Sequence, residues 1–151
     1  MKTFILILAL FLTNICSAQN NVKNITQWNL EVFTSECLTE LQIDTTTIYI
    51  QSIRGLVFGR YAAVTTKSEN VYIITLSDYM SYGETLEALA HELIHVKQYY
   101  TKRLVIINSD VISFMGKRYF VSEVSHYDDL HEIEARKLGY LLYIKFKPNT
   151  Y

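Results

Sequence analysis

The stretch that most limits how this chain can fold runs from Glu84 to Arg103. Its apolar residues Leu86, Leu89, Ala90, Leu93, Val96 and Tyr100 step along one broad face at helical spacing. A helix of that length must lie on a core. Yet it also carries His91, Glu92 and His95, the pattern H-E-x-x-H, within "ALAHELIHVKQ". Residues four apart share a helix face, so the two imidazoles point the same way and can share one ion. Zinc accepts neutral imidazole nitrogen readily, at about 2.0–2.1 Å. Glu92 is the next residue round from His91, where a carboxylate can take a proton from a water at the metal without filling a ligand position. The chain has only 4 histidines, so chance rarely produces this spacing. A pair of surface histidines with Glu92 in solvent would leave charged groups uncompensated in an apolar stretch.

The remaining pattern predicts an α+β fold. Ile25, Trp28, Val32, Phe33, Cys37 and Leu41 recur at helical spacing, which predicts an N-terminal helix over 25–41, after a polar segment 20–24 with no element. Thr45–Ile53, Tyr61–Thr66 and Val71–Leu76 are β-branched and aromatic, with Gly55, Gly59 and the turn 67–70 between them. Three strands with short connections predict an antiparallel meander. The long helix follows the loop 77–83. Leu104–Ile107 and Val111–Val121 flank Asn108–Asp110, with Gly116 as a further turn signal, and predict one or two hairpins. His131 to Phe146 predicts a last helix. The order is N-terminal helix, three-stranded meander, long helix, β-hairpin and C-terminal helix.

The ends and the charge restrict the setting. Met1–Lys2–Thr3 is followed by the apolar run Phe4–Leu12 and the small, polar Thr13–Ala18, the three regions of a secretory signal peptide. The run is too short to span a bilayer. Cleavage is expected after Ala18, leaving residues 19–151 as a single domain, exported to the periplasm or the medium with no stable membrane anchor. Ile15 before Cys16 is not the small residue that precedes lipid-modified cysteines. Loss of residues 1–18 leaves Cys37 alone, so no internal disulfide can form. With 14 basic and 15 acidic residues and no basic run, nucleic acid is not an expected partner.

Catalytic zinc ordinarily has three protein ligands and a water. Candidates for the third are His126, His131, Glu132, Glu134 and, behind them, Asp128 and Asp129, all within Ser125–Ala135. Glu134 lies about 200° round a helix from Glu132, so the two cannot bind one ion together. H-E-x-x-H followed by Glu132–Ile133–Glu134–Ala135 resembles the gluzincin metallopeptidases, which hold zinc with two histidines and a glutamate on a second helix. The chain is also similar to the small bacterial and phage minigluzincins, through His91-Glu-Leu-Ile-His-Val-Lys-Gln-Tyr99, Gly116-Lys-Arg-Tyr119 and Leu130-His-Glu-Ile-Glu-Ala135. The resemblance spans about residues 84–143 and departs at Leu130–His131, where Pro-Trp is usual, and at Arg136.

The resemblance implies a zincin-like arrangement in which His91, His95 and Glu132 hold one zinc ion and Glu92 acts as general base in peptide-bond hydrolysis. Glu134 and His131 remain alternative ligands. Tyr119, His126 and Tyr127 are candidates for steadying an oxyanion. Gln98, one turn after His95, could steady the site but reads more simply as solvated. Val71–Leu76 or its neighbour could pair with an extended peptide substrate. Two other readings are open. Ser35-Glu-Cys-Leu-Thr39 superficially matches the E-G-C-L-S motif of peptide deformylases, with Cys37 as a ligand. A zinc-binding, non-catalytic or toxin-like module could keep the same fold.

Overall fold

Alternating burial defines the central strands. In the computed structural model, which describes residues 21–24, 26, 28–54, 62–120, 122 and 129–148, β2 (Thr47–Ile53) buries Ile48 and Ile50, and β4 (Val71–Ser77) buries Tyr72, Ile74 and Leu76. These are the period-2 positions of strands with one face on a core. β1 (Asn21–Asn24) and β3 (Ala62–Ser68) complete a sheet of order β1-β2-β4-β3. The expected signal peptide, Gly55, Gly59, Tyr61, His126, Tyr127 and Asp128 lie outside the described residues.

The sheet corrects the predicted antiparallel meander. β1 pairs parallel with β2, and β2 pairs parallel with β4; only β3 and β4 are antiparallel. β4 therefore lies between β2 and β3 instead of following β3 at an edge. Apolar alternation is the same for either strand direction, so the pattern could not report it; direction is set by the connections. The polar segment 21–24 gave no strand signal, yet it joins the sheet's edge through a crossover containing α1 (Glu31–Glu40). Val71–Leu76 consequently has strands on both sides. Among the described residues, the edge of the sheet beyond β4 belongs to its neighbour β3.

α1 begins six residues later than its apolar spacing predicts. Asn24 Oδ1 accepts from the Thr26 amide at 3.1 Å and its hydroxyl at 2.8 Å, and the Thr26 hydroxyl oxygen accepts from the Trp28 amide at 3.2 Å. Such short-range side-chain bonds compete with helix formation. The helix ends with Gln42 in the left-handed region, φ 55°. The Gln42 amide donates to Thr39 O and the Ile43 amide to Leu38 O, both at 3.0 Å, satisfying carbonyls the helix leaves open.

α2 (Tyr82–Tyr100) starts with a capping box: the Glu84 amide donates to Ser81 Oγ, and the Ser81 amide donates to Glu84 Oε2 at 2.8 Å. Its end repeats that of α1. Lys102 has φ 56°, its amide donates to Tyr99 O at 2.9 Å, and the Arg103 amide donates to Gln98 O at 2.9 Å. This turn returns Arg103 to the last turn of the helix.

β5 (Leu104–Ile106), β6 (Val111–Phe114) and β7 (Lys117–Phe120) form a second, antiparallel sheet, so both hairpins of the sequence reading are present. The β6–β7 turn places Met115 and Gly116 at φ 51° and 81°, a pair of positive values that suits the twist of a tight hairpin. α3 (Leu130–Phe146) packs along α2. Ala135 is fully buried. At Gly139 a Cβ would stand 2.8 Å from His91 Cα and 2.9 Å from His91 N, so only glycine allows this approach. Leu38, Ile50, Ile74, Leu89, Leu93 and Leu142 belong to one core shared by α1, the first sheet, α2 and α3. No helix among the described residues is long and apolar enough to cross a membrane.

Candidate metal centre

The glycine contact fixes α3 against the turn of α2 that carries His91, and Glu132 then reaches the two histidines. His91 Nε2 lies 3.1 Å from His95 Nε2 and 3.2 Å from Glu132 Oε2, and His95 Nε2 lies 3.5 Å from Glu132 Oε1. Tetrahedral donors at zinc distances of about 2.0–2.1 Å stand about 3.3–3.4 Å from one another. The spacing and chemistry of the donor set therefore fit a single ion, and His91, His95 and Glu132 form a group that could hold a metal. His95, Glu132 and Glu92 are each less than a tenth exposed, whereas the His91 side chain is 24% exposed. The group is thus reached from the His91 side.

Electrostatics tie the group together. Burial pushes the His95 imidazolium down, but Glu132 as hydrogen-bond acceptor, the charges of Glu92 and Glu132, and the bond to Gln98 outweigh it, leaving His95 above its ordinary range. Burial dominates at His131 and takes it below that range, against the pull of Asp129 and Glu132 and with the push of His95. Burial, then the charges of Glu92 and Glu132, pushes the Tyr99 hydroxyl up to about 12. Glu92 is accordingly within electrostatic reach of both His95 and Tyr99.

The other predicted candidates are placed differently. Glu134 turns away from the cluster: Oε1 accepts from Arg103 Nη2 at 2.9 Å and Oε2 accepts from Gln98 Nε2 at 2.9 Å. His131 flanks Glu132, with Nε2 3.6 Å from Glu132 Oε1 and Nδ1 3.3 Å from Asp129 Oδ1. Tyr119, on β7, has a buried hydroxyl with no hydrogen-bond partner among the described residues. His126 and Tyr127 lie outside the described residues. Cys37 is fully buried in the apolar core, and burial followed by the charges of Glu36 and Glu40 pushes its thiol up to about 12. It stands outside the cluster, contrary to the deformylase comparison.

Gln98 was misjudged from sequence. It is fully buried, and its Oε1 lies 2.8 Å from His95 Nδ1. The signal was available: a lone amide three residues after His95 shares the face of the histidines. Gly139 also carried a signal, since glycine inside a helical pattern marks a close approach. A cleft of about 730 Å³ opens between the β3–β4 turn and β5, lined in part by Glu69, Tyr72, Tyr99, Lys102 and Val105. Tyr99 stacks with Tyr72 at 6.5 Å, so it borders this cleft while sensing the two carboxylates.

No family model, curated protein or solved structure matches the chain.

Proposed function

We propose that this protein is an exported zinc metallopeptidase, a small gluzincin-type hydrolase with a zincin-like pairing of α2 and α3. The observation that carries the reading is the convergence of His91 and His95 from one helix with Glu132 from the next, at separations of 3.1–3.5 Å, beside a buried Glu92. Two imidazoles and a carboxylate are donors that zinc favours. A bound zinc ion would lower the pKa of a water toward neutrality and polarise a substrate carbonyl.

The chain's own groups supply the remaining functions. Glu92 is the general base, taking the proton of the attacking water and passing it to the leaving amine. Glu132 contributes the third ligand and the charge that balances the ion. Tyr119, His126 and Tyr127 are the candidates for a donor to the developing oxyanion. The edge of β3, unpaired among the described residues, offers an extended peptide a strand to pair with. Residues 1–18 act as the export signal.

The test is zinc per chain in residues 19–151, for wild type, Glu132→Ala and Glu134→Ala, with cleavage of an unfolded protein by wild type and Glu92→Gln. The expected result is about one zinc, lost in Glu132→Ala and kept in Glu134→Ala, with Glu92→Gln keeping zinc and losing hydrolysis. A wild-type protein that takes no zinc after reloading overturns the reading. Zinc without cleavage by wild type assigns the site to the non-catalytic, toxin-like module instead.

A further inference from the structure

We infer that Gln98, clamped by Glu134 and the His131 carbonyl, is a positioning residue that keeps the proton of neutral His95 on Nδ1 and leaves Nε2 bare toward His91 and Glu132. The use of that bare nitrogen by a metal rests on the function proposed above; the position of the proton does not.

The argument is an accounting of donors and acceptors. Gln98 Nε2 has two hydrogens, and it faces two oxygens: Glu134 Oε2 at 2.9 Å and the His131 carbonyl at 3.0 Å. A carboxylate and a backbone carbonyl only accept. The Glu134 charge is held in place by Arg103, whose Nη2 donates to Glu134 Oε1 at 2.9 Å. The Gln98 amide therefore has one chemically sensible orientation, with Oε1 toward His95 Nδ1 at 2.8 Å. An amide oxygen can only accept, so His95 Nδ1 must donate, and in the neutral ring Nε2 keeps its lone pair.

Three groups compete for that single proton. Gln98 Oε1 stands 2.8 Å from Nδ1, while His91 Nε2 at 3.1 Å and Glu132 Oε1 at 3.5 Å face Nε2. Without the amide, the carboxylate would draw the proton to Nε2, the nitrogen a metal needs bare. The end of α2 builds the clamp, because the left-handed Lys102 returns the Arg103 amide to Gln98 O at 2.9 Å. The Arg103 guanidinium then lies 5.3 Å over the Phe114 ring, which stands 6.0 Å from the His131 ring. Sequence-distant groups thus converge on one imidazole nitrogen.

The experiment is nitrogen-15 NMR of the histidine rings in metal-free protein, at a pH where His95 is neutral, together with zinc titration. Wild type should carry the His95 proton on Nδ1. Gln98→Leu should move it to Nε2 and raise the zinc Kd about 10–100-fold while circular dichroism stays native. The exchange Q98E with E134Q reverses donor and acceptor between the two positions and still offers His95 an acceptor, although it leaves the His131 carbonyl without its donor. It should retain the Nδ1 proton and recover affinity to within a few-fold, and it decides the matter if Gln98→Leu does not fold. A wild-type ring protonated on Nε2, or a folded Gln98→Leu with unchanged tautomer and affinity, would reduce Gln98 to a staple between helices. A protein that takes no zinc yet shows the tautomer shift would sink the peptidase reading and leave this inference standing.

Discussion

The seam between α2 and α3 and the inner face of the four-stranded sheet are both buried, but they differ in what they bury. The sheet face is aliphatic and aromatic, with Ile48, Ile50, Tyr72, Ile74 and Leu76 inside. The seam encloses Glu92, His95, Gln98, Asp129, His131 and Glu132. Burial of apolar surface stabilises at about 25 cal/mol per Å². Burial of charged and polar groups costs free energy that partners only partly return. The two regions differ, then, in which one holds the chain folded and which one is carried by it. A protein keeps such a seam for a function other than stability.

Substitutions of opposite character should separate the two. Ile74 is fully buried, so Ile74→Ala is expected to cost about 2–5 kcal/mol while the folded fraction still binds zinc normally. Glu132→Leu should do the reverse. It is expected to lose the zinc, while in chelator, at a pH where His95 is neutral, its stability should at least equal wild type, because a buried carboxylate gives way to packing. Urea unfolding of both variants, with and without zinc, checks the pair. A Glu132→Leu protein several kcal/mol weaker than wild type in chelator would show that the seam stabilises the fold without metal.

Gly139 is where backbone packing meets the candidate metal centre. Since a Cβ there would lie 2.8 Å from His91 Cα, Gly139→Val must push α3 off α2. The expected cost is about 1–3 kcal/mol, with zinc affinity falling alongside. Stability lost with zinc affinity intact would mean that Glu132 does not depend on that contact.

Protonation supplies a subtler contrast inside the seam. In metal-free protein His95 has a raised value, from a competition in which burial opposes Glu132 and Glu92. Its stabilising contribution is present below the unfolded value near 6.5 and is lost as pH rises through the folded value. His131 is depressed, mainly by burial, so its contribution is present above about 6.5 and is lost as pH falls through its folded value. His95→Gln and His131→Gln should therefore tilt the stability–pH profile of the metal-free protein in opposite directions. Tilts of the same sign would break the assignment.

The same two regions were not equally legible in the sequence. α2 announced itself through apolar spacing, and its candidate metal donors followed from a four-residue interval that any α-helix turns into a shared face. Glu132 and Glu134 sat on different faces of one helix, so geometry narrowed the choice, and the structure brings Glu132 to the histidines. The sheet hid its topology because the apolar alternation of β2 and β4 reads the same whatever the strand direction, and because the polar Asn21–Asn24 is an edge strand held by backbone bonds to β2. The Arg103–Glu134–Gln98 clamp was invisible for another reason. Its members are up to 36 residues apart, and each taken alone is an ordinary surface residue type.

The smallest effect expected compares the two helix ends. Gln42 after α1 and Lys102 after α2 have nearly the same left-handed backbone, φ 55° and 56°, a conformation that costs a residue with a Cβ about 1–2 kcal/mol. Glycine avoids that cost but loses more backbone entropy on folding, so Gln42→Gly should gain about 0.5–1 kcal/mol, or about 1–4 °C in Tm. Lys102→Gly should gain the same in stability. Only the second lies beside the clamp, because the Lys102 turn returns Arg103 to Gln98. If that turn merely ends a helix, zinc affinity is unchanged in both variants. If it sets where Arg103 holds Glu134, Lys102→Gly alone alters zinc affinity, and the seam's polar order reaches back to a single backbone dihedral.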